Sequence, residues 1–477
     1  MEASHPPELR RQFGLWQATA LNVTMVVGAG VFITIPPMLA QLPGPWALLG
    51  WLVAGLLILV DSLIWAELGA ALPGSGGSYL YLLEAYGKEG WGRLMAFLFI
   101  WQFMLSGPLE LASGLIAMDT FSQALSPQWA AFNAAHTYRL PLVESEGLAM
   151  TFSPARLACV GLGALLVVLL FRSVTTLGRL TLVLWLGVLG ILGWVLLTGW
   201  LHFDPNIAFD FSGRAERPAH PVTGLGAAMT LSLYSYLGYY NVCYLGDEVR
   251  DPGRTIPRAI LISALLIVVL FTLTHLAMLG TVPWQEVPTD EKALESFSLP
   301  AEFMRRRYGD WAAQLITVGL IGSCFAAAFA GMLGYSRIPF GAARAGHFFR
   351  AVGAIHSTHR IPHVSLLLVG GMTLFWAFFD LSNVITALIT TRILEQFIAQ
   401  VLGVMLLRRT QPDLPRPFRI WFYPLPCFVA LVGWMFVYLT AKPLYIVLGL
   451  ATLGVGVVVY GVWSRMVRDG QQPGLSG

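Results

Sequence analysis

Val26-Val27-Gly28-Ala29-Gly30-Val31-Phe32 interrupts the first long apolar stretch of the chain with two glycines. In hydrocarbon every backbone N–H and C=O has to be satisfied inside the protein. A glycine break at mid-depth therefore weakens a helix where water cannot repair it. Such breaks are tolerated where unwound backbone lines a cavity and its free groups hold a solute. The stretch predicts a carrier whose binding site is built partly from main chain.

Composition sets the class around that stretch. Apolar residues make up 56% of 477 and charged residues 12%, with a mean hydropathy of +0.68, as in a polytopic membrane protein rather than a soluble domain. The net charge of +3 carries no nucleic-acid signal. Cys159, Cys243, Cys324 and Cys427 all lie in apolar segments without metal-ligand spacing and read as small packing residues. The N-terminus is polar through Gln12 and has no short apolar core with a cleavage site, so no removed signal peptide is expected.

Apolar stretches long enough to cross a bilayer number twelve, at about 14–39, 45–71, 92–121, 155–171, 177–201, 222–246, 257–282, 311–337, 363–379, 382–407, 421–440 and 443–465. They are numbered spans 1 to 12 below. Lysine and arginine divide unevenly: nineteen fall on the side of the N-terminus and nine on the other, with Arg392 inside a span. The bias predicts that both termini are cytoplasmic, in a plasma or bacterial inner membrane. Loop 283–310, which holds Arg305-Arg306-Arg307, reads as a solvated outer surface.

Span 6 carries a second interruption, Leu233-Tyr234-Ser235-Tyr236-Leu237-Gly238-Tyr239-Tyr240-Asn241. Spans 1 and 6 are five apart. An inverted repeat of five helices places the two breaks in corresponding positions at the midplane. The expected fold is therefore all-α: a cytoplasmic tail (1–13), a first five-helix repeat (14–201), an external loop (202–221) and a second repeat (222–407). A cytoplasmic loop (408–420), two peripheral helices (421–465) and a cytoplasmic tail (466–477) complete it.

Four stretches resemble the amino acid–polyamine–organocation (APC) transporter superfamily, in particular its L-type amino acid and polyamine branches. They are Gly28 to Phe32; Ala66-Glu67-Leu68-Gly69 through Pro73-Gly74-Ser75-Gly76-Gly77-Ser78-Tyr79; Gly246-Asp247-Glu248-Val249 through Asp251 to Ile260; and Ser336-Arg337 through Ala343-Arg344-Ala345-Gly346-His347. The resemblance implies a secondary carrier of small organic solutes that works by alternating access. By similarity, Gly28, Ala29 and Gly30 bind a substrate carboxylate, in line with the partial positive charge at a half-helix start. Carbonyls near Val26, Val27, Tyr234 and Ser235 take the ammonium, Tyr234 forms an outer gate, and Gly238 sits in the second break. Met25 and Tyr236 are expected to line the cavity. Two departures bear on coupling: Trp185 stands where some relatives carry a lysine, and Phe325 to Gly331 in span 8 lacks hydroxyls for sodium.

Charges at membrane depth are functional candidates by default. Glu110 lies in span 3, and Arg392 and Glu395 share a face of span 10. Arg392 is expected to pair with Glu110 or Glu395, leaving one carboxylate for proton coupling or for a cationic substrate. The alternative is a buried pair that only joins spans 3 and 10. Glu67 and Glu248 at inner helix ends have Arg337 or Arg344 as candidate partners in a cytoplasmic gate, or are merely solvated. Asp61 in span 2 reads as a contact with an adjacent helix, and His275 as a packed histidine. Pro73 to Ser78 lacks the Gly-Lys-Ser/Thr of a phosphate loop, and His356, His359 and His363 sit beside Pro362 in a short loop that disfavours a rigid metal site. No cofactor, metal or enzymatic constellation is read. The expected partners are the lipid bilayer, a small-molecule substrate and protons. Neutral amino acids are the first substrate choice and polyamines the second; a solute sensor of the same fold is the non-transporting alternative.

Overall fold

A computed structural model describes residues 13–74, 76–88, 90–144, 147–171, 175–216, 219–356 and 361–468, leaving aside the side chains of 25, 175–185, 214, 291 and 292. All twelve expected spans are helical. Span 1 is two helices, Leu15–Val26 and Gly30–Gln41; spans 2 to 5 are Ala47–Ala71, Trp91–Gln123, Pro154–Leu170 and Thr175–Leu201. Span 6 is Pro221–Tyr236 continued by a 3-10 run, Asn241–Glu248; spans 7 to 9 are Pro252–Leu279, Asp310–Tyr335 and His363–Trp376. Span 10 runs Leu381–Arg392, passes through a π-helical turn, Ile393–Ile398, and resumes as Ala399–Thr410; spans 11 and 12 are Leu425–Thr440 and Pro443–Arg468.

Local chemistry sets these ends. Proline opens spans 4, 6 and 7 at the first helical position, where its missing N–H costs nothing. Ser153 caps span 4 by accepting the Arg156 N–H at 3.1 Å. Span 6 stops because Leu237 turns to ψ 133° and Gly238 takes φ +113°, a conformation closed to side-chain-bearing residues.

Span 7 packs along span 2 and span 8 along span 3, so corresponding members of the two five-span sets face each other across spans 1 and 6. Span 12 is the least enclosed of the long spans, with 17% of its most apolar stretch buried, and lies at the periphery.

The outer loops hold more structure than their composition predicts. Loop 122–154 contains the helix Pro127–Ala135 and an antiparallel hairpin, Tyr138–Val143 with Leu148–Phe152. Loop 283–310 is not simply a solvated surface, because Trp284, Val287, Phe303 and Met304 are buried. Its acidic and basic residues form exposed pairs, Arg305 and Arg306 with Glu302 at 2.9 Å each.

These loops meet at a charged cluster over the outer end of span 1. Arg139 of the hairpin contacts Glu295 and lies 3.4 Å from Asp380, at the start of span 10. Thr151 donates to Asp380 at 3.0 Å, and Arg156 donates to Asp119 at 2.6 Å and to the carbonyls of Ala377 and Phe379 at 2.8 Å each. Burial, and after it the Asp380 carboxylate, push Glu295 up to about 7 against the pull of Arg139 and Arg156. A carboxyl raised in the fold stabilises it most in acid and loses that contribution as pH climbs from the ordinary carboxylate range through about 7. The melting temperature in detergent is therefore predicted to fall by a few degrees between mildly acidic and mildly alkaline buffer. Glu295→Gln should flatten that slope, and an unchanged slope would contradict the assignment.

Candidate functional site

The break in span 1 leaves backbone groups open between its two helices. The Val27 N–H closes the first helix on the Val23 carbonyl at 2.7 Å, and the Phe32 and Ile33 N–H groups turn back to the Ala29 carbonyl. Among the described residues the N–H groups of Gly28, Ala29 and Gly30, and the carbonyls of Val26 and Val27, take no partner. Gly28 and Gly30 are not at positive φ. A Cβ built on either would meet its nearest neighbour only at 3.8 Å: Ser323 Oγ for Gly28, and the Tyr234 ring for Gly30. Neither close packing nor turn geometry requires glycine here; its effect is to leave the amides uncovered.

Those amides face a cavity of about 160 Å³, walled by Val26 to Gly30, Tyr234, Ser235 and Leu237 from the two breaks. Further wall comes from Thr24 and Ile33 of span 1, from Glu110, Leu111, Gly114 and Ala117 of span 3, from Val188 of span 5, and from span 8, including Ser323, Cys324, Ala327, Ala330, Gly331 and Tyr335. The volume is close to the ~150 Å³ that admits a benzene-sized ligand. The walls beyond the backbone are mostly small and apolar.

Tyr234 lines the cavity on the side of the helix Gly30–Gln41. Its hydroxyl shares a hydrogen bond with Ser113 at 2.8 Å, and Ser235 shares one with Thr34 at 3.0 Å, so span 6 is tied to span 3 and to the outer half of span 1. A smaller hollow includes Ile33, Arg156, Glu295 and Asp380. On the inner side Asn22 bridges three elements. Its Oδ1 accepts the Val242 N–H at 2.8 Å, and its Nδ2 donates to Ser263 at 3.0 Å.

Glu110 reaches the cavity wall, and Arg392 lies behind it with an N–O distance of 2.7 Å. Arg392 does not line the cavity; its guanidinium sits 5.9 Å above the Phe103 ring. Glu395 is also absent from the wall. It is buried, and its Oε2 has no hydrogen-bond partner among the described residues. Of the two carboxylates weighed for Arg392, Glu110 is the partner and Glu395 the one in excess.

Several expected positions differ. Tyr236 does not line the cavity: it turns toward span 2, donates to the Trp51 carbonyl at 3.1 Å and lies parallel to Phe271. Gly238 shapes the turn without forming the wall. The Tyr234 carbonyl is engaged by the Leu237 N–H at 3.3 Å. Glu67 does not pair with Arg337 or Arg344. It is buried under the loop after span 10, contacting Arg408 (Nε at 2.7 Å), Arg416 at 3.5 Å and the Ile420 N–H at 2.7 Å. Arg337 is exposed, and the Glu248 carbonyl accepts the Phe13 N–H at 3.0 Å. No ion pair joins either glutamate to Arg337 among the described residues, because the Glu67 end is already neutralised from the other side. The side chains of Met25 and Trp185, and His359 as a whole, lie outside the described residues.

Sequence reasoning missed Ser113, Tyr335 and Asn22. Ser113 was detectable in principle, three residues after Glu110 and hence on the same helix face. Ser323 Oγ lies on the wall without a partner, whereas Thr24 Oγ1 is spent on the Ala20 carbonyl of its own helix at 2.5 Å.

The sequence is similar to those of known amino acid transporters. The chain is 28% identical over 450 residues to the human cystine/glutamate transporter, covering 92% of this chain and 81% of that protein. It is 23% identical to the branched-chain amino acid permease BcaP of Bacillus subtilis, covering 96% and 94%, and 26% identical to the human Asc-type amino acid transporter 1, covering 88% and 75%. A family model described as amino acid permease matches residues 13–459, so the chain, with its two broken helices around one cavity, belongs to the amino acid permease family.

Proposed function

We propose that this integral membrane protein moves neutral amino acids across the plasma membrane by alternating access, with both termini cytoplasmic. The observation that carries the reading is the set of unpartnered amides at Gly28, Ala29 and Gly30 opposite unpartnered carbonyls at Val26 and Val27, all bordering one cavity. An amino acid offers the complement. Its carboxylate suits N–H groups at the start of a half-helix, and its ammonium suits free carbonyls. Ser235 borders the ammonium side, and the side chain extends toward Val188, Ala327 and Ala330. Tyr234 closes over the bound solute.

Charge balance favours a neutral substrate over a polyamine. Glu110 is the one carboxylate on the wall, and Arg392 compensates it at 2.7 Å. A polyamine brings two or more positive charges and no carboxylate for the open amides. Glu395 lies off the wall and serves as the site of proton coupling rather than of recognition; exchange without net proton movement is the other mode open to the same cavity.

Purified protein in liposomes is predicted to take up radiolabelled leucine or alanine, and binding without flux would instead support a sensor. Gly30→Ala and Gly28→Ala should leave the melting temperature nearly unchanged, because each added methyl meets its neighbours no closer than 3.8 Å, while raising KM severalfold by partly covering the amides. Unchanged KM in both would contradict main-chain recognition. Arg392→Met leaves Glu110 uncompensated and is predicted to raise the lysine-to-leucine uptake ratio about tenfold; a constant ratio would show that Glu110 does not face the substrate. Glu395→Gln should flatten the pH dependence of uptake with KM preserved, and an unaltered profile would remove Glu395 from coupling.

A further inference from the structure

Asp61 lies in span 2, outside the cavity wall, and the functions above give it no task. Its side chain is buried, at 1% exposure. It nevertheless accepts two hydrogen bonds, from the Tyr239 hydroxyl and from Trp434 Nε1 at 3.1 Å. Tyr239 immediately follows Gly238, so the carboxylate grips the unwound turn of span 6 rather than a finished helix. Trp434, in span 11, stacks on Phe397 with centroids 3.9 Å apart. Phe397 belongs to the π-helical turn of span 10 that follows Arg392 and contains Glu395. Trp65, one turn along span 2 from Asp61, stacks on Tyr240 at 4.1 Å. A single carboxylate thus holds the unwound turn of span 6 directly and bears on the π-helical turn of span 10 through Trp434.

The geometry points to Asp61 as a positioning residue for transport, a latch that holds the turn Leu237–Tyr240 of span 6 against spans 2 and 11. A tie that merely held straight helices together is made with less desolvation by apolar side chains, since burying a carboxylate in the membrane is costly. An ionised carboxylate is an acceptor at both oxygens and so fixes two donors at once. One donor belongs to the break that carries the Tyr234 lid. The other rests on the turn that presents Arg392 to Glu110. Asp61 therefore acts through Tyr239 on the turn that carries Tyr234, without touching the solute.

The proposal rests on the transport reading of the cavity, and its test has an arm that does not. Cys243 is buried in the 3-10 run four residues beyond Tyr239 and reports the tightness of that segment. In a chain with Cys159, Cys324 and Cys427 replaced by alanine, N-ethylmaleimide labelling of Cys243 is compared among Asp61, Asp61→Asn and Tyr239→Phe proteins. Tyr239→Phe removes a single oxygen and keeps the latch testable if Asp61→Asn fails to fold. Labelling about tenfold faster in Tyr239→Phe, with maximal uptake reduced severalfold at a nearly constant KM, is the expected result. The double variant should be less affected than the sum of the two singles, because the Tyr239–Asp61 bond is shared between them. Unchanged labelling in Tyr239→Phe, or a raised KM at an unchanged maximal rate, would overturn the latch. If the starting protein carries no amino acid at all, the transport reading fails while Cys243 labelling still decides whether Asp61 holds the turn.

Discussion

Everything at the centre of this protein depends on one constraint: backbone polar groups inside a bilayer need partners. Two helices break that rule at the same depth. In span 1 the break opens amides on one side and carbonyls on the other; in span 6 a glycine at φ +113° turns the chain away. The surrounding structure confines the cost. Thr34 and Ser235 join the outer halves of the two broken spans, Tyr234 and Ser113 tie span 6 to span 3, and Asn22 secures the inner 3-10 run through a main-chain N–H. The main-chain groups of span 1 that remain unpartnered border a single cavity, with the polarity of a zwitterion in reverse.

Charge follows the same logic. An uncompensated carboxylate at this depth is costly, and Glu110 is held by Arg392 across spans 3 and 10. The pair lets an acidic group border the cavity without making the cavity strongly anionic. Glu395 stands apart, buried with an open oxygen on a π-helical turn, a local form that recurs at functional sites. Asp61, in span 2, is fully engaged by donors from spans 6 and 11. The three carboxylates thus meet three different environments: one ion-paired at the wall, one off the wall, one holding a bend.

Features that involve the membrane itself were legible in the sequence. Twelve apolar stretches and the two glycine-marked breaks follow from hydrocarbon thickness and backbone satisfaction, which act on any partner arrangement. The Glu110–Arg392 contact was legible as one of two options, because a charge at that depth must find an opposite one. Features that depend on which neighbour arrives first were not. Tyr236 is two residues from Tyr234, which rotates it about 200° around the helix and turns it to Trp51 instead of the cavity. Glu67 has arginines within reach from two loops, and only the packing of the loop after span 10 selects Arg408 and Arg416. Asp61 looked incidental because its donors, Tyr239 and Trp434, lie 178 and 373 residues away. The outer hairpin carries no alternation strong enough to separate it from loop.

The central claim is that main chain at the break in span 1 reads the α-carboxylate and α-ammonium of the solute. Competition for leucine uptake in liposomes by leucinamide and by N-acetyl-leucine tests it most directly, since each analogue removes one charge and keeps the side chain. The account predicts that both compete at least about tenfold more weakly than leucine itself. Equal competition by either analogue would contradict it.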